Sequence, residues 1–394
     1  MNKTTILYFA LPALALCSCD NDGDRGTVLK PAEQIELSAA ESRASSALND
    51  FGLEFFAKAS AEADANNDNL TLSPLGASMF ASLISNACDD ADASTIANML
   101  GCEDRAALNS YSAKLVNRLS TLDPSSKFST ANSLWHQNGT SVTEAFADAA
   151  KTFYGIEMFE RNFDSPNTGD EITRWVSNHS SGLIKDFEAS LTGDMTLLNV
   201  IYYKGIWETP FQTKNTTKST FNGSSKTSTV DMMHNTSHYA YAYNEISDAV
   251  KLDFGNGAFH AILVLPAENS SLTAAQLSEI INAGYATNYT VNLSFPKFAY
   301  RQTKFDITKL FTDKGVNLNN IKVLDNGGRF DSVIQEGLVQ FDETGVELAV
   351  ISSSGPISPG PGNEVDLNFN RPFYFFIREG STGSMLLAGK INNL

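Results

Sequence analysis

Residues Val339–Pro372 read VQFDETGVELAVISSSGPISPGPGNEVDLNFNRP, and this stretch joins two kinds of chain. Its middle, Ser352–Glu364, holds three prolines, three glycines and four serines. Such a segment has little apolar surface to bury and few regular amide donors, which predicts an exposed loop. Just upstream, Val346, Leu348 and Val350 alternate with Glu347 and Ala349, the period-two pattern of a strand with one buried face. A strand here runs straight into a long exposed loop, with no turn to pair it back at once.

The chain around that stretch is built to fold. Of its 394 residues, 42% are hydrophobic, enough for a substantial core in one large or two ordinary domains. The 45 acidic residues outnumber 28 basic ones, and the formal charge of -17 argues against nucleic acid as a partner, because phosphate binding needs a positive face. At the N-terminus, Lys3 precedes an apolar run from Ile6 to Leu16 that is too short to span a bilayer and suits a signal-peptide core. Leu16, Cys17, Ser18 and Cys19 resemble a bacterial lipobox. That resemblance implies a signal peptide over 1–18, lipidation at Cys19, contact with membrane through the lipid anchor only, and an exported outer-membrane lipoprotein. Asp20, Asp22 and Asp24 would then favour the extracellular side. An ordinary signal peptide cut nearby is the alternative. Residues 19–40 read as an acidic and polar tether, since DNDGD at 20–24 lacks the rest of a calcium loop.

Beyond the tether, Leu48, Phe51 and Phe55 recur at helical spacing and predict a first amphipathic helix. In Asn69–Cys88, NLTLSPLGASMFASLISNAC, Ser73 can cap a helix, Pro74 fits its first turn, and the residues beyond are apolar or small on nearly every side, as in a fully buried helix. Thr95–Leu100 and Leu115–Leu119 continue as helical segments, Ala131–Gln137 reads as a buried strand, and Trp175 and Val176 lie in a helix ending near Gly182. Within Thr196–Phe221, continuous apolar residues around Tyr202 and Tyr203 mark a central strand buried on both faces, which Gly205 is expected to break before Trp207. Ala258–Pro266 and Val291–Phe298 read as strands, and Phe373–Ile377 with Met385–Ile391 as a hairpin across Gly380–Gly383. With no internal repeat and no dividing linker, 41–394 is expected to be one α+β domain.

Taken together, these stretches resemble the serpins, proteinase inhibitors of the loop-insertion kind. Asp342, Glu343, Gly345 and Glu347 match the family's hinge, which extends through Val346, Leu348, Ala349 and Val350, and Asn370, Pro372 and Phe373–Ile377 match the strand after its reactive loop. The resemblance implies a large mixed central sheet, two smaller sheets, helices packed around them and an exposed reactive-centre loop. It implies a suicide substrate, not an enzyme: after cleavage of a loop at about 345–364 the freed segment joins the main sheet and traps a serine, or papain-like cysteine, protease. It places Ser73, Asn199, Trp207 and Gln335 where the sheet opens, although Gln335 stands where the family often has histidine and Gly76 where it often has serine. It also places Cys88 at the end of one helix and Cys102 just after the next, a candidate disulfide that requires their Cα atoms to come within reach. No cofactor is implied, and a monomer is expected.

The family's spacing from Gly345 points to a cut near Pro359, while the downstream anchor allows a loop about two residues longer. Proline obstructs most protease clefts, which favours Ile357-Ser358, with Pro359-Gly360 the alternative for a prolyl-selective enzyme. The first bond points to an elastase-like or subtilisin-like target, and no Lys or Arg lies between Gly345 and Asn370 to suit a trypsin-like one. The bulk of Leu348 and Val350 keeps a second reading open, a non-inhibitory binding protein or a protease substrate on the cell surface. The chain has no GxSxG, HExxH, CxxC or phosphate-binding glycine loop, and His234 and His238 are a weak metal pair, so a hydrolase would need a triad assembled in space.

Overall fold

The computed structural model describes residues 30–394 apart from 89, 190, 192, 269, 319–320, 328–329 and 347–362. Helix α1 (Ala39–Asn66) opens on a capping box between Ser38 and Glu41, ends at a left-handed Asn67, and buries the predicted stripe of Leu48, Phe51 and Phe55. The tether is shorter than expected: Ile35 is already buried, its amide donating to Ser381 Oγ at 3.0 Å, so packed chain begins before residue 41. Strand β1 (Leu70–Leu72) leads into α2 (Pro74–Ile84), capped by Ser73 and buried at every position. Helices α3 (Asp90–Leu100) and α4 (Arg105–Arg118) follow, then β2 (Lys127–Gln137), α5 (Glu144–Tyr154), β3 (Ile156–Arg161), α6 (Pro166–His179) and β4 (Met195–Ile206). β4 does not break at Gly205. Any side chain there would run into the Tyr203 hydroxyl and Phe254, so glycine is required by close packing inside a strand that continues.

The second half is mostly strand: β5 (Thr217–Asn222), β6 (Thr227–Ser237), β7 (Ala240–Asn244), β8 (Ser247–Phe254) and β9 (Phe259–Pro266). After α7 (Ala274–Ile281) comes β10 (Tyr289–Asp306), at 18 residues the longest strand, then α8 (Thr308–Asp313), β11 (Phe330–Phe341) and the two-residue β12 (Gly345–Val346). β13 (Asn363–Asn368) precedes the expected hairpin of β14 (Phe373–Glu379) and β15 (Met385–Ile391).

Pairing produces the mixed architecture. A six-stranded sheet runs β1-β15-β14-β9-β8-β7, and a nine-stranded network runs β3-β2-β4-β11-β10-β6-β5 with β12 on β4 and β13 on β10. The network divides within β10. Its first half, from Tyr289 to Lys297, pairs with β13 and β6, while its second half, from Phe298 to Asp306, pairs with β11. The large sheet is therefore β3-β2-β4-β11-β10, with a smaller wing beyond it. At the crossing, Phe295, Phe298 and Phe341 pack against Phe373 and Phe375 with ring centroids 5.3 to 6.3 Å apart, which locks the wing to the six-stranded sheet. α2 lies in the main core with Leu197, Tyr203, Val333 and Val339. On the outer face of β4, Leu198 and Val200 pack with Ile172, Val176, Ile184 and Phe187 of α6 and the segment after it.

Candidate functional site

The two central strands of the large sheet are joined over only part of their length. β4 and β11 pair in parallel from Met195 with Phe330 up to Val200 with Glu336, and no rung joins Ile201–Ile206 to Gly337–Phe341 among the described residues. On their outer sides the ladders run past this point, from Met195 to Lys204 of β4 along β2 and, with one register shift, from Ile334 to Phe341 of β11 along β10. Backbone groups that face each other without pairing inside a sheet make a natural berth for another strand. At the open end one has begun to form: Gly345 and Val346 pair antiparallel with Ile206 and Gly205.

Trp207 holds this end together. Its backbone amide donates to the Thr344 carbonyl and its indole Nε1 to the Asp342 carbonyl, both at 3.0 Å. The buried ring stacks on Phe254 at 4.5 Å and on Phe341 at 5.9 Å. The Asp342 carboxylate accepts from the Thr344 amide at 2.8 Å and hydroxyl at 2.7 Å, closing a tight turn before Gly345. Gly345 takes φ +147°, and a Cβ there would collide with the Gly205 carbonyl, so only glycine lets the hinge approach β4 this closely.

Glu343, one of the acidic residues of the hinge, is buried. Its carboxylate accepts from Lys297 Nζ and Thr216 Oγ1, each at 2.8 Å, while its carbonyl accepts from the Phe211 amide at 2.8 Å. Burial alone would raise this carboxyl, but the hydrogen bonds from Lys297, its own backbone and Thr216 outweigh it and hold the group below its ordinary value. The same hydrogen bond holds the Lys297 ammonium above its own. Lys297 sits on β10 within the expected strand Val291–Phe298, VNLSFPKF, yet nothing in that string marks it as the hinge's partner.

Lower down, where β4 and β11 do pair, lies a polar cluster above α2. The buried Gln335 carboxamide accepts from the Ser73 amide at 3.3 Å and donates to the Ser73 carbonyl at 3.0 Å, closing a two-way link between β11 and the cap of α2. Ser73 Oγ accepts from the Gly76 amide at 2.9 Å. Gln335 is also the ladder partner of Asn199, whose Nδ2 donates to Asn132 Oδ1 at 2.7 Å, and Asn132 donates in turn to the Tyr154 carbonyl at 3.0 Å. Asn132 and Tyr154 are members that sequence reading missed. Gly76 completes the fit, since a Cβ there would lie 2.5 Å from Asn199 Oδ1 and 2.9 Å from Gln335 Nε2.

The remaining candidates fall elsewhere. Glu347, Leu348, Ala349 and Val350 of the hinge, the bonds around Ile357, Ser358, Pro359 and Gly360, and Cys19 lie outside the described residues. Cys88 and Cys102 are not bonded to each other: Cys88 Sγ turns back to the Ile84 carbonyl at 3.2 Å, and Cys102 Sγ lies 3.9 Å from the Asp104 carbonyl. His234 and His238 do not converge. His234 contacts Ser294 Oγ and Thr217 Oγ1, leaving no ring nitrogen for an orienting carboxylate, and His238 faces the Tyr289 carbonyl.

Comparison with known proteins agrees with this geometry. Residues 46–394 match the family model described as Serpin (serine protease inhibitor). A serine protease inhibitor of Cyanea capillata is 27% identical over 351 residues, 82% of this chain and 92% of its own length. The thermophilic serpin tengpin in its native state superposes with a TM-score of 0.77 at 20% identity, covering 93% of this chain and 97% of its own. Human thyroxine-binding globulin complexed with thyroxine does so with a TM-score of 0.78 at 21% identity, over 90% of this chain and 99% of its own. At such identities the two structures bear on the fold alone.

Proposed function

The chain belongs to the serpin family, whose members are in general protease inhibitors and not catalysts, and from that premise we propose that it traps an extracellular endopeptidase by inserting its cleaved loop into the large sheet. The observation that carries this reading is the hinge pairing at the open end of β4. Continued in the register that sets Gly345 opposite Ile206, the chain would bring Leu348 opposite Tyr203, Val350 opposite Ile201, Ser352 opposite Asn199 and Pro356 opposite Met195, the first residue of β4. Opposed residues share a face, and Met195, Leu197 and Tyr203 lie in the main core. Val346, Leu348, Val350 and Ser352 would thus turn inward, and all four are uncharged. Glu347 would turn outward opposite Lys204.

The same register bears on the cut. The inserted strand reaches the foot of β4 at Pro356, so a break after Ile357 frees one residue more than β4 can pair, and a break after Pro359 frees three more. Either suffices for full insertion. A protease esterified to the new C-terminus is carried along with the strand, and its active site is distorted before water can release it. Ile357-Ser358 suits an elastase-like or subtilisin-like target, and the lipobox-like leader over 1–18, with Cys19 and the acidic Asp20, Asp22 and Asp24 after it, supports anchorage on the outer face of the cell. The test is a panel of elastase-like, subtilisin-like and papain-like proteases. A covalent adduct that survives denaturing electrophoresis is expected, with the mass of the released C-terminal peptide reporting the bond; cleavage without adduct reduces the protein to a substrate.

A second reading rests on the bulk of Leu348 and Val350. Leu348 would enter opposite Tyr203, whose ring already packs against Phe254 and Phe259 at 5.4 and 5.2 Å, and overpacking costs about 1 to 3 kcal/mol per side chain. A non-inhibitory binding protein then follows, as in the thyroxine-binding relative of like fold. It predicts a melting temperature nearly unchanged by loop cleavage, where insertion predicts a large rise.

A further inference from the structure

Among the described residues, Tyr243 is the large apolar side chain left in solvent, 63% exposed near the end of edge strand β7. It is not loose. Its ring stacks on buried Tyr241 with centroids 5.6 Å apart and planes within 20°, and Tyr289 stands edge-on to both, 5.2 Å from Tyr241 and 6.5 Å from Tyr243. Tyr241 is itself fixed: its hydroxyl donates to Asp248, and its backbone exchanges hydrogen bonds with Ala286 at 2.9 and 2.8 Å. A rigid aromatic step of this kind gives contact area at little cost in side-chain freedom, the property of anchor residues at interfaces.

Its position says what it meets. Tyr289 is the ladder partner of Asn363, the first described residue after the loop. Next along β13, Glu364 and Asp366 are exposed, and both accept from Asn292 Nδ2 at 2.8 Å. That shared donor holds two carboxylates side by side, and neither has a cationic partner among the described residues.

We propose that Tyr243, backed by Tyr241 and Tyr289, is a second docking point for the body of the endopeptidase that cuts the loop, and that Glu364 and Asp366 select one whose cleft has a basic rim. This rests on the inhibitory reading above. The occupant follows from reach. Ser358 precedes Asn363 by five residues, a contour of at most about 18 Å. A protease domain of about 250 residues has a radius of gyration of roughly 18 Å. An enzyme seated on Ile357-Ser358 therefore overhangs the ground around Asn363, where the aromatic step stands.

The experiment measures the second-order rate of covalent adduct formation with whichever panel protease forms an adduct with the wild-type protein. Tyr243→Ser is expected to slow adduct formation about tenfold while Tyr243→Phe keeps most of the rate. The double variant Glu364→Gln/Asp366→Asn is expected to flatten the fall of the rate with added salt. Unchanged rates and salt dependence in these variants, at unchanged melting temperature, overturn the docking site and leave the inhibitory reading standing. No adduct between the wild-type protein and any protease of the panel removes both.

Discussion

The indole of Trp207 donates to the carbonyl oxygen of Asp342 at 3.0 Å, so the open end of β4 is tied to the chain just before the hinge by one side chain. The ring's stacking on Phe254 and Phe341 would survive Trp207→Phe, but the hydrogen bond would not, leaving the Asp342 carbonyl without that donor. The Gly345 amide still donates to that carbonyl at 3.3 Å, so a loss of about 1 kcal/mol or somewhat more in chemical denaturation is expected from the lost hydrogen bond and the lost volume. A change within about 0.5 kcal/mol, the scatter of ordinary surface substitutions, would show that stacking alone secures this end.

Glu343 makes the same region sensitive to acid. Its carboxyl is held below the ordinary 4.5, chiefly by Lys297 against the opposing effect of burial. A carboxyl lowered in the fold contributes stability that is complete above 4.5 and is lost as pH falls through the folded value. Glu343→Gln should therefore cost about 1 kcal/mol at pH 7, a modest figure because Lys297 is partly solvated, and the gap to wild type should close as pH drops below 4.5. Urea melts at pH 7 and in steps below pH 4.5 test this. A gap that stays constant with pH would separate the stability effect from the ion pair.

The fit of Gly76 beneath the β4–β11 ladder yields a third expectation. A Cβ would come within 2.5 Å of Asn199 Oδ1 and 2.9 Å of Gln335 Nε2, so Gly76→Ser must push one amide out of its hydrogen bonds. We expect a cost of about 1 to 3 kcal/mol. Because the serine competes with Gln335, the cost in a Gln335→Ala background should be smaller than in the wild type. A double-mutant cycle that comes out additive would mean that the cluster does not act as a unit.

What was readable from the chain, and what was not, divides by sequence separation. The cap at Ser73, the buried α2 and the hairpin of β14 and β15 are local patterns, and each appears where its residues predict. Trp207 could be picked out as a bulky residue at a strand end, but its partner Asp342 lies 135 positions away, and Gln335 meets Ser73 across 262. No periodicity encodes such pairs. Gly205 was misread because a glycine in an apolar run signals a break as well as a close contact, and only the fold shows Tyr203 folded beneath it. The second half of β10, YRQTKFD, is too polar to announce a strand; it forms one because β11 supplies its ladder.

His260 offers the last prediction, in the six-stranded sheet away from the loop. Burial first, and then the nearby charges of Lys251 and Arg378, push its imidazole down from 6.5 to about 3. The folded ring thus stays neutral while the unfolded chain takes up a proton once pH falls below 6.5. A cation depressed in this way contributes stability that is complete above 6.5 and is lost as pH falls toward 3, with a slope of at most about 1.4 kcal/mol per pH unit. His260→Gln, which stays neutral in both states, should be the less stable protein at pH 7 for reasons of packing, yet lose stability more slowly between pH 6 and pH 4. The stability curves of the two proteins should converge over that range. Parallel curves would mean that the ring protonates inside the fold, and would place water beside it where the strands β8, β9 and β14 now exclude it.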